Sequence, residues 1–380
     1  MRAKFPKFFR ENCLDFFLFN FLIVLPSIRF FDKILSIPIF VIYFIVANII
    51  YIFRTKISNL KIFRYKWWIL FIVVSTVLNC IIYPKVDDRK NSGKGSTGDD
   101  AIILAAQTLK TTGKLYDVYI DENTPISPGP GWVLINSGFV LLDLYVFFSP
   151  FYLLILFLVL RKYVFNDKEL NMFALFTGIT LVFWELLFNG HDILPFSLSF
   201  LIISIVIFYK SHDKSSLWQF IVLGFLLGIL STSRIVFIFL PFLFSFLVMN
   251  LNRKKGVILL IVSLSVNLFF NIYFYSINTR FQPLHLFNKG LGILGKEVFI
   301  FLLLLGCLGF FFFTRLKSYQ LILFEKRVFI ILGMFFFPIA YIDLIRIDFQ
   351  FSVWEGANYL MPLLGFYILQ TISNMNFEIK

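Results

Sequence analysis

The chain is poor in the residues on which water-soluble and disulfide-bonded proteins depend. Only 15% of its 380 residues are charged, and it has three histidines and three cysteines. The cysteines, Cys13, Cys80 and Cys307, are so far apart that their spacing fits neither a disulfide framework nor a metal site. No small-residue cleavage site follows the basic N-terminus, so we expect the first apolar segment to be retained and not removed as a signal peptide.

Apolar residues are abundant instead. The hydrophobic fraction is 59%, phenylalanine occurs 54 times, and mean hydropathy is +0.84, all well above the values of a soluble domain. In lipid, only helices and closed barrels satisfy every backbone polar group, and these long continuous runs lack the alternation of a barrel strand. The sequence therefore predicts an all-α polytopic membrane protein whose phenylalanines mostly face lipid.

About twelve apolar segments are candidates for membrane-spanning helices, which need about 20 residues each. They lie near 13–28, 34–53, 66–83, 143–160, 170–188, 193–209, 216–232, 235–251, 256–276, 297–313, 328–345 and 355–373. The first is short, and the 188–193 connection has features of a re-entrant turn, so the expected count is 11–13. We interpret residues 1–65, with two of these helices, as an addition to a core of residues 66–380.

The distribution of basic residues predicts the orientation. The net charge of +13 is carried in short loops between apolar segments, as expected for a membrane protein and not for one that binds nucleic acid. Most of the 35 basic residues fall on one side if the N-terminus is cytoplasmic, and the long polar loop 84–131 then faces outward. We expect a bacterial inner membrane with this loop in the periplasm; an endoplasmic reticulum protein with a lumenal loop is the alternative.

The outer loop changes character at Asp99. Before it, Gly93-Lys-Gly-Ser-Thr97 lacks the leading glycine of a phosphate-binding loop. After it, apolar residues recur at helical spacing as far as Gly113, which predicts a short interfacial helix that begins at Asp99-Asp100. Ser127-Pro-Gly-Pro-Gly-Trp132 then interrupts the helix and leads to a second short surface helix.

Polar residues gather at the predicted outer ends of the spans, where each is a candidate for a functional site. The candidates are Asp99, Asp100, Glu185, His191, Asp192, Arg234, Glu355, Asn358 and Tyr359.

The order of these features resembles that of the GT-C superfamily of membrane glycosyltransferases, which includes aminoarabinose transferases and protein O-mannosyltransferases. Shared features are an outer loop with an acidic pair that opens a helix, a Pro-Gly-Pro-Gly-Trp return to the membrane, and Asn358-Tyr-Leu-Met-Pro362. The last resembles an Arg-Tyr-Leu-Leu-Pro pattern, with Asn358 in place of arginine. The resemblance implies a polyprenyl-phosphate sugar donor, a lipid, glycan or protein acceptor, and a catalytic acidic residue at Asp99, with Asp100 next.

The residue types suit such a reaction. A carboxylate can activate the acceptor hydroxyl as a general base, and an arginine can bind the departing phosphate through two parallel hydrogen bonds. We assign catalysis to Asp99 and Asp100. We assign substrate binding to Arg234, Glu185, His191, Asp192, Glu355, Asn358 and Tyr359. Asp99 as a simple helix cap, and His191-Asp192 as a solvated turn, remain alternatives. No metal ligand is assigned, although a divalent cation stays possible as a cofactor.

Three other functions fit a protein of this class. One is a transporter or flippase of envelope precursors, which should show internal repeats and interrupted helices at mid-membrane. Another is an O-antigen polymerase or ligase, although such proteins carry their large loop late in the chain. The third is a non-catalytic assembly factor. The acidic residues at the outer ends, and not at mid-membrane, favour the glycosyltransferase.

The predicted orientation can be tested by cysteine labelling. In a variant that lacks the three native cysteines, Ser96→Cys should react with a membrane-impermeant maleimide in intact cells, because the long loop then lies outside. Labelling that occurs only after the cytoplasm is opened would reverse the topology.

Overall fold

The computed structural model describes residues 13–34, 37–88, 98–120, 124–213, 215–278, 280–316 and 320–375. Several sequence features lie outside the described residues: the basic N-terminus with Arg2, Lys4, Lys7 and Arg10, the segment 93–97, Lys214, Lys317 and Lys380. The described part of the chain is helical and has no β-strand, which confirms the predicted all-α class.

Seven helices in the described part are long and apolar enough to cross a membrane, and an eighth span is formed if a bent helix pair is counted as one. The prediction of about twelve spans is therefore not confirmed. Three of the other predicted spans are helices of 15–16 residues, namely Ile37–Ile52, Leu217–Ser231 and Met361–Met375, and a fourth divides into Ile235–Phe239 and Leu240–Met249. A straight helix of 15 residues is about 22 Å long, which is shorter than the hydrocarbon core.

The α-helices are numbered in chain order. The first six are α1 (Cys13–Asp32), α2 (Ile37–Ile52), α3 (Arg54–Ser58), α4 (Trp67–Asp88), α5 (Asp100–Thr112) and α6 (Pro130–Leu141). Next come α7 (Phe148–Tyr163), α8 (Asp167–Ile179), α9 (Leu181–Phe188), α10 (Ile193–His212), α11 (Leu217–Ser231) and α12 (Leu240–Met249). The last five are α13 (Arg253–Ile277), α14 (His285–Leu294), α15 (Lys296–Arg315), α16 (Leu321–Arg346) and α17 (Met361–Met375). A 3₁₀ helix, Glu355–Leu360, leads into α17.

The two short helices predicted in the outer loop are present as α5 and α6. Helix α5 ends where the sequence predicts, because Gly113 adopts a left-handed conformation with φ of 73° and its N–H donates to the carbonyl of Leu109. Helix α6 begins at Pro130, whose missing N–H is no loss at the first helical position.

The fifth predicted span is broken at Thr180, where α8 and α9 meet at an angle of 74°. The break therefore precedes the 188–193 connection, where the sequence suggested a re-entrant turn. Neighbouring side chains satisfy the backbone groups that it releases. The Tyr43 hydroxyl donates to the carbonyl of Ile179 at 2.8 Å, and Trp184 Nε1 donates to that of Gly178 at 2.7 Å. Irregular backbone at membrane depth is tolerated only when it is satisfied in this way.

Helix ends that carry basic residues contact one another: Lys168 donates to Asn59 Oδ1, Lys255 to the carbonyl of Lys210, and Arg327 to the carbonyl of Leu316. We call this group of helix ends the basic end; its basic residues are Arg54, Lys56, Lys61, Lys66, Arg161, Lys162, Lys210, Arg253, Lys254, Lys255, Arg315, Lys326 and Arg327. Contacts hold this end together; for example, Asn171 donates to the carbonyls of Phe63 and Tyr65. The opposite end lies at the far end of α4, where Tyr83 contacts Asp99 at the start of α5 and Gly190 in the 189–192 turn. The segment before Glu355 belongs to this end as well, because Arg29 binds both Glu185 and the carbonyl of Trp354.

Phenylalanine fills the interior as well as the lipid-facing surface, so the expectation of mainly lipid-facing phenylalanines is only partly met. Phe196 and Phe237 are buried and stack with ring centroids 4.1 Å apart, and Phe200 packs edge-on against Phe366. Aromatic pairs of this kind add about 0.5–1.5 kcal/mol beyond their buried area. They pack α10 tightly against the segment after α11 and against α17.

Candidate functional site

A polar cavity of about 250 Å³ lies at the end of the bundle opposite the basic end. Loops and helix ends from distant parts of the chain form it. Its polar lining residues are Arg29, Thr124, Ser127, Asn189, His191, Arg234, Glu355, Asn358 and Tyr359. Five of the nine site residues predicted from the sequence therefore face one cavity: His191, Arg234, Glu355, Asn358 and Tyr359.

Two more predicted residues, Asp192 and Glu185, bind the two arginines that line the cavity. Asp192 and Arg234 form a buried bidentate ion pair, with Nη1–Oδ2 and Nη2–Oδ1 distances of 2.8 and 2.7 Å. Burial alone would raise the pKa of Asp192, but the adjacent Arg234 charge outweighs burial and holds this pKa well below its usual range. In turn, burial alone would lower the pKa of Arg234, while Asp192 raises it. Both groups are therefore charged at neutral pH.

Arg29 was not predicted as a site residue, yet it forms the second buried pair of the cavity. Its Nε lies 3.0 Å from Glu185 Oε1, and both side chains are at least nine-tenths buried. Its Nη1 donates to the carbonyl of Trp354 at 2.7 Å and to Asn358 Oδ1 at 2.9 Å. The position of Arg29 near the end of an apolar span could have identified it as a site residue, because a charged side chain there needs a partner.

Asp99 does not line the cavity. Its side chain is fully buried, and Oδ2 accepts a hydrogen bond of 2.8 Å from the Tyr83 hydroxyl. It occupies the cap position of α5 but makes no capping hydrogen bond with its side chain. Asp100 is the first residue of α5 and is half-buried. Its negative charge is favourable near the N-terminus of a helix.

Glycines bring the loop at Asp99 against the turn that carries His191. Gly190 has φ of 64°, and a Cβ there would lie 2.6 Å from the Tyr83 ring and 3.2 Å from Asp99 Cβ. The Tyr145 hydroxyl donates to the carbonyl of this glycine at 2.9 Å. A Cβ on Gly98 would lie 2.7 Å from the His191 ring. Asp99 and His191 therefore belong to one packed unit, although only His191 reaches the cavity.

The Pro-Gly-Pro-Gly motif packs against the segment that ends in Arg234. The Gly129 N–H donates to the carbonyl of Ser233 at 3.1 Å, and the Trp132 N–H donates to Thr232 Oγ1 at 2.9 Å. A Cβ on Gly129 would lie 1.7 Å from the carbonyl oxygen of Thr232, so only glycine allows this approach. The motif thus supports the backbone from which Arg234 enters the cavity.

Among the described residues, no three histidine, cysteine, aspartate or glutamate side chains are close enough together to hold a metal ion. His191 and Asp192 are adjacent, with 3.3 Å between His191 Nδ1 and Asp192 Oδ1, but Asp192 already binds Arg234.

Comparisons with protein-family models, with curated proteins and with solved structures found no match to this chain.

The packing of Gly129 can be tested with a pair of alanine substitutions. Gly129→Ala should lower the free energy of unfolding by about 1–3 kcal/mol, because the new methyl group overlaps the Thr232 backbone. Gly138→Ala, in α6, is the matched control, because a methyl group at that position would meet no other atom within 4 Å. It should stabilise the helix by about 0.5–1 kcal/mol. Thermal unfolding in detergent measures the stability of both variants. Equal midpoints would contradict the proposal that the Pro-Gly-Pro-Gly motif supports the backbone before Arg234.

Proposed function

We propose that this protein is a membrane glycosyltransferase that moves a sugar from a polyprenyl-phosphate donor to a lipid, glycan or protein acceptor. The reaction would take place on the outer face of the membrane, with the N-terminus in the cytoplasm. The main observation in its favour is the polar cavity, whose polar lining residues come from five segments of the chain. Two of these residues are arginines, and each is paired with a buried carboxylate. The resemblance to the GT-C superfamily supports the same function.

Arg234 offers N–H donors for a phosphate, while its charge is balanced by that of Asp192. The bonds of Arg234 to Asp192 and to the carbonyl of Ser233 engage three of the five N–H donors of a guanidinium. The other donors can bind a phosphate oxygen, because Arg234 itself lines the cavity. Asp192 and Glu185 then hold the two arginines in position and need not contact the donor.

A small, mostly apolar pocket of about 60 Å³ beside the cavity can take the first carbons of a donor's lipid chain. It lies between α14 and α16, and its lining includes Val236, Ile293, Phe336, Ile339 and Asp343. Glu355 and Tyr359 line this pocket and also the polar cavity. A ligand with a charged head and an apolar chain would therefore contact both spaces at these two residues.

Two carboxylates are candidates for the general base. Asp99 has the position that the superfamily resemblance implies, but it is buried behind Gly98 and bonded to Tyr83. Glu355 is exposed and lines the cavity. We keep Asp99 as the proposed base and propose that its Tyr83 bond is exchanged for the acceptor hydroxyl when substrate binds.

Asp99→Asn separates catalysis from structure, because it keeps the shape of the side chain but removes its basicity. Transfer should fall by a factor of about 10² to 10⁴, the usual contribution of a general base, while thermal stability stays close to that of the wild type. The assay follows a labelled sugar from polyprenyl phosphate to acceptor in proteoliposomes. Asp100→Asn, one residue away, decides between the two acids assigned to catalysis: if it loses transfer while Asp99→Asn retains it, Asp100 is the base.

Glu355→Gln completes the comparison. If Asp99→Asn retains activity and Glu355→Gln loses it, the base is Glu355. If both variants transfer sugar at the wild-type rate, neither carboxylate is the base and the proposed mechanism is wrong.

Arg234→Lys tests the proposed phosphate contact. Lysine keeps the positive charge but cannot hold both oxygens of Asp192 while it also contacts a donor phosphate. The apparent affinity for the donor should therefore fall at least tenfold, while the rate at saturating donor should change less. Arg253→Lys, at the exposed basic end, is the control. An unchanged donor KM in Arg234→Lys would remove this residue from the binding site.

A transporter or flippase of lipid-linked precursors is the second candidate, and the break between α8 and α9 favours it. Discontinuous helices at membrane depth are typical of transporter substrate sites. The two functions predict different results in proteoliposomes. A glycosyltransferase releases polyprenyl phosphate and labels the acceptor, whereas a flippase moves the intact lipid-linked sugar and leaves its glycosidic bond unbroken. In cells without the gene, the accumulated lipid-linked intermediate identifies the sugar.

A further inference from the structure

A second cavity, separate from the polar one, begins at the basic end. It has a volume of about 370 Å³ and lies between the start of α4 and the α8–α9 pair. Its walls are almost entirely apolar and include Phe63, Trp67, Phe71, Leu175 and Trp184. We call it the α4–α8 groove. A pocket of this volume is within the range that holds small ligands.

The groove follows the length of α8 from the basic end to the bend at Thr180. Asn171 fixes its beginning, because the Asn171 side chain binds the carbonyls of Phe63 and Tyr65 and the N–H of Trp68. Gly178 and Ile179 line its far end, next to the bend. The position of the groove at the surface of a membrane protein, with tryptophan near both ends, suits a chain that enters from the lipid.

Basic residues lie next to the start of the groove. Lys61 and Lys66 are exposed, and each is the immediate neighbour of a residue that lines the groove, Ile62 or Trp67, while the acidic Asp167 close by is paired with Arg161. Lys168, at the start of α8, donates to Asn59 Oδ1 at 2.7 Å and adds a further charge close to this segment. Lysines beside a membrane surface attract anionic lipid headgroups.

We propose that the α4–α8 groove binds one acyl chain of an anionic phospholipid, with Lys61 and Lys66 in contact with the lipid phosphate. The lipid would come from the leaflet that faces the basic end. Its acyl chain would pack on Trp184. The next residue in the chain, Glu185, is the partner of Arg29, and the one after it, Leu186, lines the polar cavity. The inference does not depend on the proposed glycosyltransferase activity.

Lipid titration followed by native mass spectrometry tests the proposal on the full chain in a mild detergent. One molecule of phosphatidylglycerol should bind per chain, with an affinity at least tenfold higher than that of phosphatidylcholine. Its binding should also raise the midpoint of thermal unfolding until the site is saturated. Equal affinity for the two lipids would overturn the headgroup assignment. Displacement of phosphatidylglycerol by an equimolar amount of polyprenyl phosphate would overturn the choice of a phospholipid.

Substitutions locate the site. The double variant Lys61→Gln/Lys66→Gln should bind phosphatidylglycerol about 25-fold more weakly, which corresponds to about fivefold for each lysine. Arg253→Gln/Lys254→Gln removes two exposed charges at the same end, on α13, and should leave affinity unchanged. Ile62→Glu places a negative charge at the entrance and should also weaken binding. All of these side chains are exposed, so the variants should fold. Equal losses in both double variants would exclude a specific site in the groove.

Discussion

Two buried arginine–carboxylate pairs hold together the end of the bundle that contains the polar cavity. Each pair joins segments that are far apart in sequence: Arg29–Glu185 joins α1 to α9, and Asp192–Arg234 joins the start of α10 to the segment after α11. Removal of one partner from a buried pair typically costs about 3–5 kcal/mol, because a charge is left uncompensated. The pairs therefore restrict how these helix ends can be arranged, and the cavity forms in the space between them.

Close backbone packing complements the ion pairs. Gly190 is enclosed by the rings of Tyr83 and Tyr145, and Gly129 touches the backbone of Thr232. Both glycines allow a loop to approach more closely than any side chain would permit. As a result, the outer loop that carries Asp99, the turn that carries His191 and the segment that carries Arg234 form one closely packed surface. Polar side chains on short loops can be positioned accurately only with such support.

The sequence predicts the helical class, the two short helices of the outer loop and the end of the protein at which the polar residues gather. These features follow from local composition and from distance to the ends of apolar segments. The number of spans was not predictable in this way, because several apolar segments form helices too short to span, and the break at Thr180 involves hydrogen bonds with Ser27 and Tyr43 in other helices. Arg29 was missed for a related reason, since its partner Glu185 is distant in sequence. The burial of Asp99 also depends on tertiary contacts.

The position of Asp99 has a consequence for any reaction in the cavity. A carboxylate that is fully buried and bonded to a tyrosine can meet a substrate only if its loop moves. The adjacent Gly98 lines the cavity and packs on His191, so movement of this loop would also displace the His191 ring. His191 is itself the neighbour of Asp192, the partner of Arg234. An anion bound at Arg234 would therefore lie beside the turn that packs against the Asp99 loop, and a ligand that favours a moved loop would shift the population toward an exposed Asp99.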